Sequence, residues 1–173
     1  MRTLVLGGVR SGKSQLAERL AAESECEVIY LATAGAEDGS MAERIAIHRQ
    51  RRPAGWGCLE EKIHLGEVMS ANAAEGRCIL IDCLSLWMTN LLMTEDDQLI
   101  ESETDAFLRS LEPAPGRVIM VSSESNMGVI PMGELSRRYC DLMGNLHQRV
   151  AARSENVIFT VAGLPQILKG ELS

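Results

Sequence analysis

Near the start of the chain, Gly7-Gly8-Val9-Arg10-Ser11-Gly12-Lys13-Ser14 sets glycines, a lysine and a hydroxyl at the spacing G-x-x-x-x-G-K-[ST]. Each residue type has a physical role in holding a polyphosphate. Glycines let backbone N–H groups converge without Cβ clashes, and a following helix adds the positive end of its dipole. Lys13 can reach β- and γ-phosphates, and the Ser14 hydroxyl can ligate Mg²⁺. The loop points to a bound nucleoside triphosphate and leaves the reaction open.

The magnesium partner should be an acid ending a buried strand, and Cys78-Ile79-Leu80-Ile81-Asp82 provides one. The competing role for Asp82 is a cap on a helix starting near Ser85. Only Lys13, Lys62 and Lys169 are lysines, and no N-K-x-D element follows, which argues against a guanine-reading regulatory GTPase. A second chemical cluster lies between Met41 and Pro53, a stretch with helical spacing that ends at a proline. Arg44, Arg49, Arg51 and Arg52 surround His48 there. Arginine forks suit phosphate. Positive neighbours disfavour the imidazolium, and a neutral imidazole is a nucleophile. The plainer alternative is a helix-surface histidine among basic neighbours. His64 opens a helix-like stretch, and His147 is expected on the polar side of the last long helix.

The elements that must position these groups alternate. Short Val/Ile-rich runs at Thr3–Leu6, Val28–Ala32, Cys78–Ile81, Val118–Val121 and Val157–Val161 read as strands buried on both faces. Between them, Ser14–Glu25 and Gly133–Arg153 have helical spacing, the latter with Leu135, Tyr139, Leu142, Leu146 and Val150 on one face. The pattern predicts a three-layer α/β fold around a mainly parallel sheet, in one domain over 1–173. A net charge of −7 argues against a general nucleic-acid or anionic-membrane binder. No apolar run reaches the length of a membrane span, and the N-terminal residues lack a signal-peptide core, so a cytoplasmic protein is expected. The acidic run Glu95 to Asp105 reads as a solvated helix face and loop. Cys26, Cys58, Cys78, Cys83 and Cys140 lack metal-ligand spacing and read as reduced, mostly buried thiols.

The chain also resembles, essentially end to end, the bifunctional adenosylcobinamide kinase/adenosylcobinamide-phosphate guanylyltransferases of cobalamin biosynthesis. The phosphate loop, Tyr30-Leu31-Ala32-Thr33-Ala34, the block Arg44-Ile45…His48-Arg49…Arg52-Pro53…Trp56 and Asp82-Cys83-Leu84…Thr89-Asn90-Leu91-Leu92 carry the likeness. Ser122…Glu124…Met127-Gly128…Pro131 and Gly144…Gln148-Arg149 extend it. The chain departs from the family pattern at Ser123 and Asn126, within N-E-V-G, and at His147, where Asn is usual.

The resemblance implies a RecA-like P-loop fold, homotrimers, and two reactions. One moves the γ-phosphate of ATP or GTP to adenosylcobinamide. The other passes GMP from GTP through a guanylyl-histidine to adenosylcobinamide phosphate, releasing pyrophosphate. It implies His48 and Lys13 as catalytic residues. Nucleotide contacts are implied at Gly7, Gly8, Val9, Arg10, Ser11, Gly12, Lys13, Ser14, Thr33, Ala34, Gly35, Arg49, Gln50, Arg51, Arg52, Glu60 and Asp82, with Mg²⁺ at Ser14 and Asp82. Two other readings explain the loop: a single-step small-metabolite kinase without a covalent intermediate, and a non-catalytic nucleotide-binding assembly protein.

Overall fold

The computed structural model describes residues 1–34, 53 and 55–172. The predicted Met41–Pro53 helix, with Arg44, His48, Arg49, Gln50, Arg51 and Arg52, lies outside these residues, as does Gly35, while Pro53 itself is described. In chain order the described elements are β1 (Arg2–Gly7), α1 (Lys13–Ala22), β2 (Glu27–Ala32), β3 (Gly57–Glu60), α2 (Leu65–Asn72) and β4 (Arg77–Asp82). They continue with α3 (Leu84–Leu92), α4 (Asp97–Leu111), β5 (Arg117–Ser123), α5 (Glu134–Arg153), β6 (Asn156–Val161) and β7 (Leu164–Lys169).

The strands form one sheet in the order β3-β2-β4-β5-β1-β6-β7. All neighbours are parallel except the β6–β7 hairpin. Successive strand residues face opposite sides, and the core divides accordingly. Leu4, Leu6, Ile79, Ile81 and Met120 face a layer that includes α2 to α5. Val5, Leu80, Ile119 and Val121 face α1 through Leu16, Ala17, Leu20 and Ala21. Three layers result, as the alternating pattern predicts.

All five expected strands form. The sequence reading missed β3 and β7, whose side chains are largely exposed and therefore carry no continuous apolar run. β7 follows a two-residue turn in which Ala162 and Gly163 both have positive φ, 52° and 79°, the geometry of a hairpin matched to strand twist.

Other expectations need correction. Leu135 is 56% exposed, although it shares helical phase with the apolar face of α5. A 20-residue helix is about 30 Å long, longer than the roughly 20 Å strands beneath it. Its core contacts accordingly begin at Tyr139. The acidic run is more than a solvated face: Asp96 caps α4 by accepting from Gln98 N and Leu99 N, both at 3.0 Å. Asp97 pairs with Arg138, Asp105 with Arg149, and Glu103 Oε1 lies 2.9 Å from His64 Nδ1. Cysteine burial is also less uniform than expected, with Cys78 buried, Cys58 exposed and the rest between.

The layer over α2 and α4 is packed tightly. Trp87 stacks edge-on to Phe107 at 5.2 Å and donates Nε1–H to Ile63 O at 2.8 Å. A Cβ on Gly66 would stand 2.7 Å from both Ala106 C and Phe107 N, backbone atoms that cannot rotate away. Gly66→Ala should therefore cost about 2–3 kcal/mol by overpacking. Urea unfolding measures it, and an unchanged midpoint would refute this account of the α2–α4 contact.

Candidate active site

In a parallel sheet, ligands bind beyond the carboxyl ends of the strands, where adjacent connections leave in opposite directions. Here β1 leads through α1 toward β2, and its neighbour β5 leads through α5 to β6, on the other face. The phosphate loop follows β1 at this point, and Asp82 ends β4 on the far side of β5.

The loop is shaped by close approach. A Cβ on Gly7 would meet Thr160 O at 2.6 Å and Ser11 Oγ at 2.4 Å. Gly12 takes φ 95° and would bring a Cβ to 3.0 Å of Gly163 Cα. Gly163 N donates to Ser11 O at 2.8 Å, so the β6–β7 turn braces the loop from outside. Ser11 N donates to Gly8 O at 3.3 Å, and Lys13 Nζ donates to Gly8 O at 3.1 Å. The ammonium thus closes over the loop. Val9 and Arg10 are exposed, and Arg10 has φ 56°. Ser11 Oγ is buried with no hydrogen-bond partner among the described residues. Ser14 is half-buried in the first turn of α1.

Asp82 is positioned by two strands. Tyr30 donates its hydroxyl to Asp82 Oδ2 at 3.0 Å. Thr33, 0% exposed, donates Oγ1–H to Cys83 O at 2.8 Å and accepts from Cys83 N at 2.9 Å. Asn90 Nδ2 holds Thr33 O at 2.8 Å. The Thr33 hydroxyl therefore fixes the peptide after Asp82. The helix-cap alternative for Asp82 is excluded, because the N-cap of α3 is Cys83 and no side chain caps it. Ser14 and Asp82 supply a hydroxyl and a carboxylate, hard oxygen donors suited to Mg²⁺. The other Asp82 oxygen carries no hydrogen bond among the described residues, which fits a role as ligand.

Ala34 follows Thr33 at the same sheet edge. Glu60, exposed at the end of β3, lies four strand positions from β1, about 19 Å at the usual strand spacing. Glu60 and the phosphate loop thus occupy opposite ends of the crevice.

The site also contains groups that the sequence reading did not assign. Burial pushes the Cys83 thiol up, reinforced by the charge of Asp82, so it stays protonated. Cys83 Sγ and Ser85 Oγ are 3.0 Å apart, and Ser123 N donates to Ser85 Oγ at 3.2 Å. Glu124 N donates to Gly7 O at 3.0 Å, tying the end of β5 to the loop. Burial also raises Tyr139, to about 12. His147 corrects an expectation. It is 7% exposed, not on the polar side of α5. Its Nε2 lies 2.7 Å from Ser122 Oγ, and Nδ1 lies 3.4 Å from Glu124 Oε2. Helical phase places residue 147 beside Leu146 and Val150, but the polarity of histidine alone predicts a water-facing side chain. The available signal was Ser122-Ser123-Glu124, polar residues closing an apolar central strand as Asp82 does.

A phosphate loop, a strand-end acid and a mainly parallel three-layer sheet define a P-loop nucleotide-binding protein. Solved structures agree on the fold. The RadB recombinase superposes with a TM-score of 0.54 at 15% identity, over 91% of this chain and 73% of that one. A protein of Pyrococcus horikoshii OT3 superposes at 0.58 and 8% identity, over 99% and 87%.

The chain belongs to the cobinamide kinase/cobinamide phosphate guanyltransferase family, whose model matches residues 3–168. It is 58% identical over 171 residues to the bifunctional adenosylcobalamin biosynthesis protein CobP of Pseudomonas aeruginosa, covering 99% of each. It is 34% identical to the bifunctional adenosylcobalamin biosynthesis protein CobU of Escherichia coli, over 95% of this chain and 97% of the relative. The Salmonella typhimurium CobU matches at the same identity and coverage.

The buried imidazole makes stability depend on pH. Burial is the main cause holding His147 below its ordinary value, opposed by Glu124. The unfolded chain therefore takes up a proton near pH 6.5 before the native state does, and stability falls as pH drops through that value. Between pH 7.5 and 5.5 the wild type should lose up to about 1 kcal/mol per pH unit more than His147→Asn. Urea unfolding of both at three pH values measures the difference. Equal losses would show that His147 is not held neutral.

Proposed function

We propose that this chain, as a single domain over 1–173, carries out both family reactions on the corrinoid intermediates of cobalamin synthesis. The observation that carries this is the formed phosphate loop, with Lys13 over its mouth, within a chain that matches the family along nearly its whole length. In the first reaction, ATP or GTP binds with its phosphates in the loop from Gly7 to Ser14. The aminopropanol hydroxyl of adenosylcobinamide attacks the γ-phosphorus, and the nucleoside diphosphate leaves. Lys13 stabilises charge on the β- and γ-oxygens as the bond between them breaks. Ser14 and Asp82 would hold Mg²⁺, which neutralises phosphate charge when bound.

In the second reaction, a neutral His48 nitrogen attacks the α-phosphorus of GTP. An N–P bond forms, and the bond to the departing pyrophosphate breaks. An oxygen of adenosylcobinamide phosphate then displaces the imidazole, taking GMP. Arg49, Gln50, Arg51, Arg52, Thr33, Ala34, Gly35 and Glu60 are proposed as further GTP contacts. Thr33 would act through the Cys83 backbone rather than by its own hydroxyl, which is already engaged. We also infer a cytoplasmic homotrimer, with no nucleic-acid partner. No described helix is long and apolar enough to cross a membrane.

A guanylyl-histidine is a phosphoramidate, labile to acid and comparatively stable to alkali. GTP labelled at the α-phosphate should label the protein, while γ-label should not. His48→Ala and His48→Asn should both abolish the label yet keep phosphorylation of adenosylcobinamide. Persistent label in both variants would remove His48 as nucleophile, and no label on the wild type would favour a single-step kinase. Asp82→Asn should raise the magnesium concentration needed for half-maximal rate by about tenfold, as loss of one anionic ligand implies. An unchanged magnesium titration would remove Asp82 as a ligand.

A further inference from the structure

The family match and the phosphate loop leave one step without a residue: the hydroxyl that attacks the γ-phosphorus must lose a proton. The residue that follows β5, beside the phosphate loop, carries a carboxylate. β5 lies between β4, which ends in Asp82, and β1, which opens into the phosphate loop. Its continuation, Glu124, is fixed to the first loop residue by the Glu124 N–Gly7 O bond of 3.0 Å. Glu124 Oε1 accepts from Asn126 N at 2.6 Å, and Oε2 faces His147 Nδ1 at 3.4 Å. A carboxylate has about four acceptor directions, so two engaged oxygens still leave room for an incoming hydroxyl.

His147 is built into this arrangement. Its Nδ1 is buried without a hydrogen-bond partner among the described residues, and the nearby Glu124 carboxylate is the group it faces. Ser122 Oγ lies 2.7 Å from Nε2. If Nε2 held the single proton of a neutral imidazole, a bare Nδ1 lone pair would confront the carboxylate. The favourable tautomer has Ser122 donating to Nε2 and Nδ1–H directed at Glu124 Oε2. Closing that gap by a few tenths of an ångström makes a charge-assisted hydrogen bond that fixes the carboxylate's orientation.

We propose that Glu124 is the general base of the phosphoryl transfer, and that Ser122 and His147 are positioning residues that orient it. The inference rests on the kinase reaction proposed above. The hydroxyl oxygen forms the new bond to the γ-phosphorus as its proton moves to Glu124. The bond between the γ-phosphorus and the bridging oxygen breaks, and its electron pair leaves on the β-phosphate. The proton then passes to solvent after product departs.

The test uses the full chain, with ATP and adenosylcobinamide under steady-state conditions. Glu124→Gln keeps shape but accepts no proton, and should lower kcat about 100-fold or more, with KM for both substrates within about threefold. His147→Gln should lower kcat about tenfold, again without raising KM. The double variant should be no slower than Glu124→Gln alone, because His147 acts through Glu124. A purely structural role would raise KM or add to the Glu124→Gln defect. A Glu124→Gln kcat within threefold of wild type overturns the proposal, as does a rise in KM matching the fall in kcat. If Glu124→Gln shows no cooperative unfolding transition, Glu124→Asp decides. It should retain at least part of the rate with unchanged KM, and a raised KM at full kcat would overturn the proposal. Failure of the wild type to phosphorylate adenosylcobinamide would instead refute the kinase reading itself.

Discussion

The structure depends on how closely the end of β1 approaches its neighbours. Gly7 is wedged against the Thr160 carbonyl and the Ser11 side chain with no space for a Cβ. On its other side its carbonyl receives the Glu124 N–H. That closeness lets the chain turn at once from a central strand into the loop, with α1 starting at Lys13. A single added carbon would push β1 from β6 or force the loop open. The absence of a side chain at Gly7 is thus already required by the packing of the sheet and loop.

The rest of the crevice is held from the sheet's other half by polar contacts rather than apolar packing. Thr33 grips the Cys83 peptide from both sides, Asn90 grips Thr33, and Tyr30 holds one oxygen of Asp82. These bonds are part-buried, so leaving one unmade costs up to about 1–3 kcal/mol. They join the ends of β2 and β4 and the start of α3 as one unit. The end of β5 sits between that unit and the phosphate loop, and its Ser122, Ser123 and Glu124 reach α5, α3 and β1 respectively. The crevice beside the loop is thus built from the ends of β2, β4 and β5, with α5 behind β5 through His147.

Much of this was legible in the sequence because buried parallel strands leave continuous apolar runs. Five such runs marked β1, β2, β4, β5 and β6, and the residues just after two of them, Gly7-Gly8 and Asp82, are where a parallel sheet puts its chemistry. β3 and β7 escaped because edge strands bury too little to leave a run. The Leu135 error has a related cause, since periodicity gives a helix face but not how much sheet lies beneath it.

By itself the sequence determined the alternating three-layer fold, the phosphate loop and the strand-end carboxylate. Local spacing and side-chain chemistry suffice for these. Only the tertiary structure decided that Thr33 anchors the backbone after Asp82, that the β6–β7 turn braces the loop, and that His147 turns inward between Ser122 and Glu124. Those contacts join residues 23 to 152 positions apart. Residues so far apart in sequence meet only because the strand order brings β5 beside β1 and lays α5 across them.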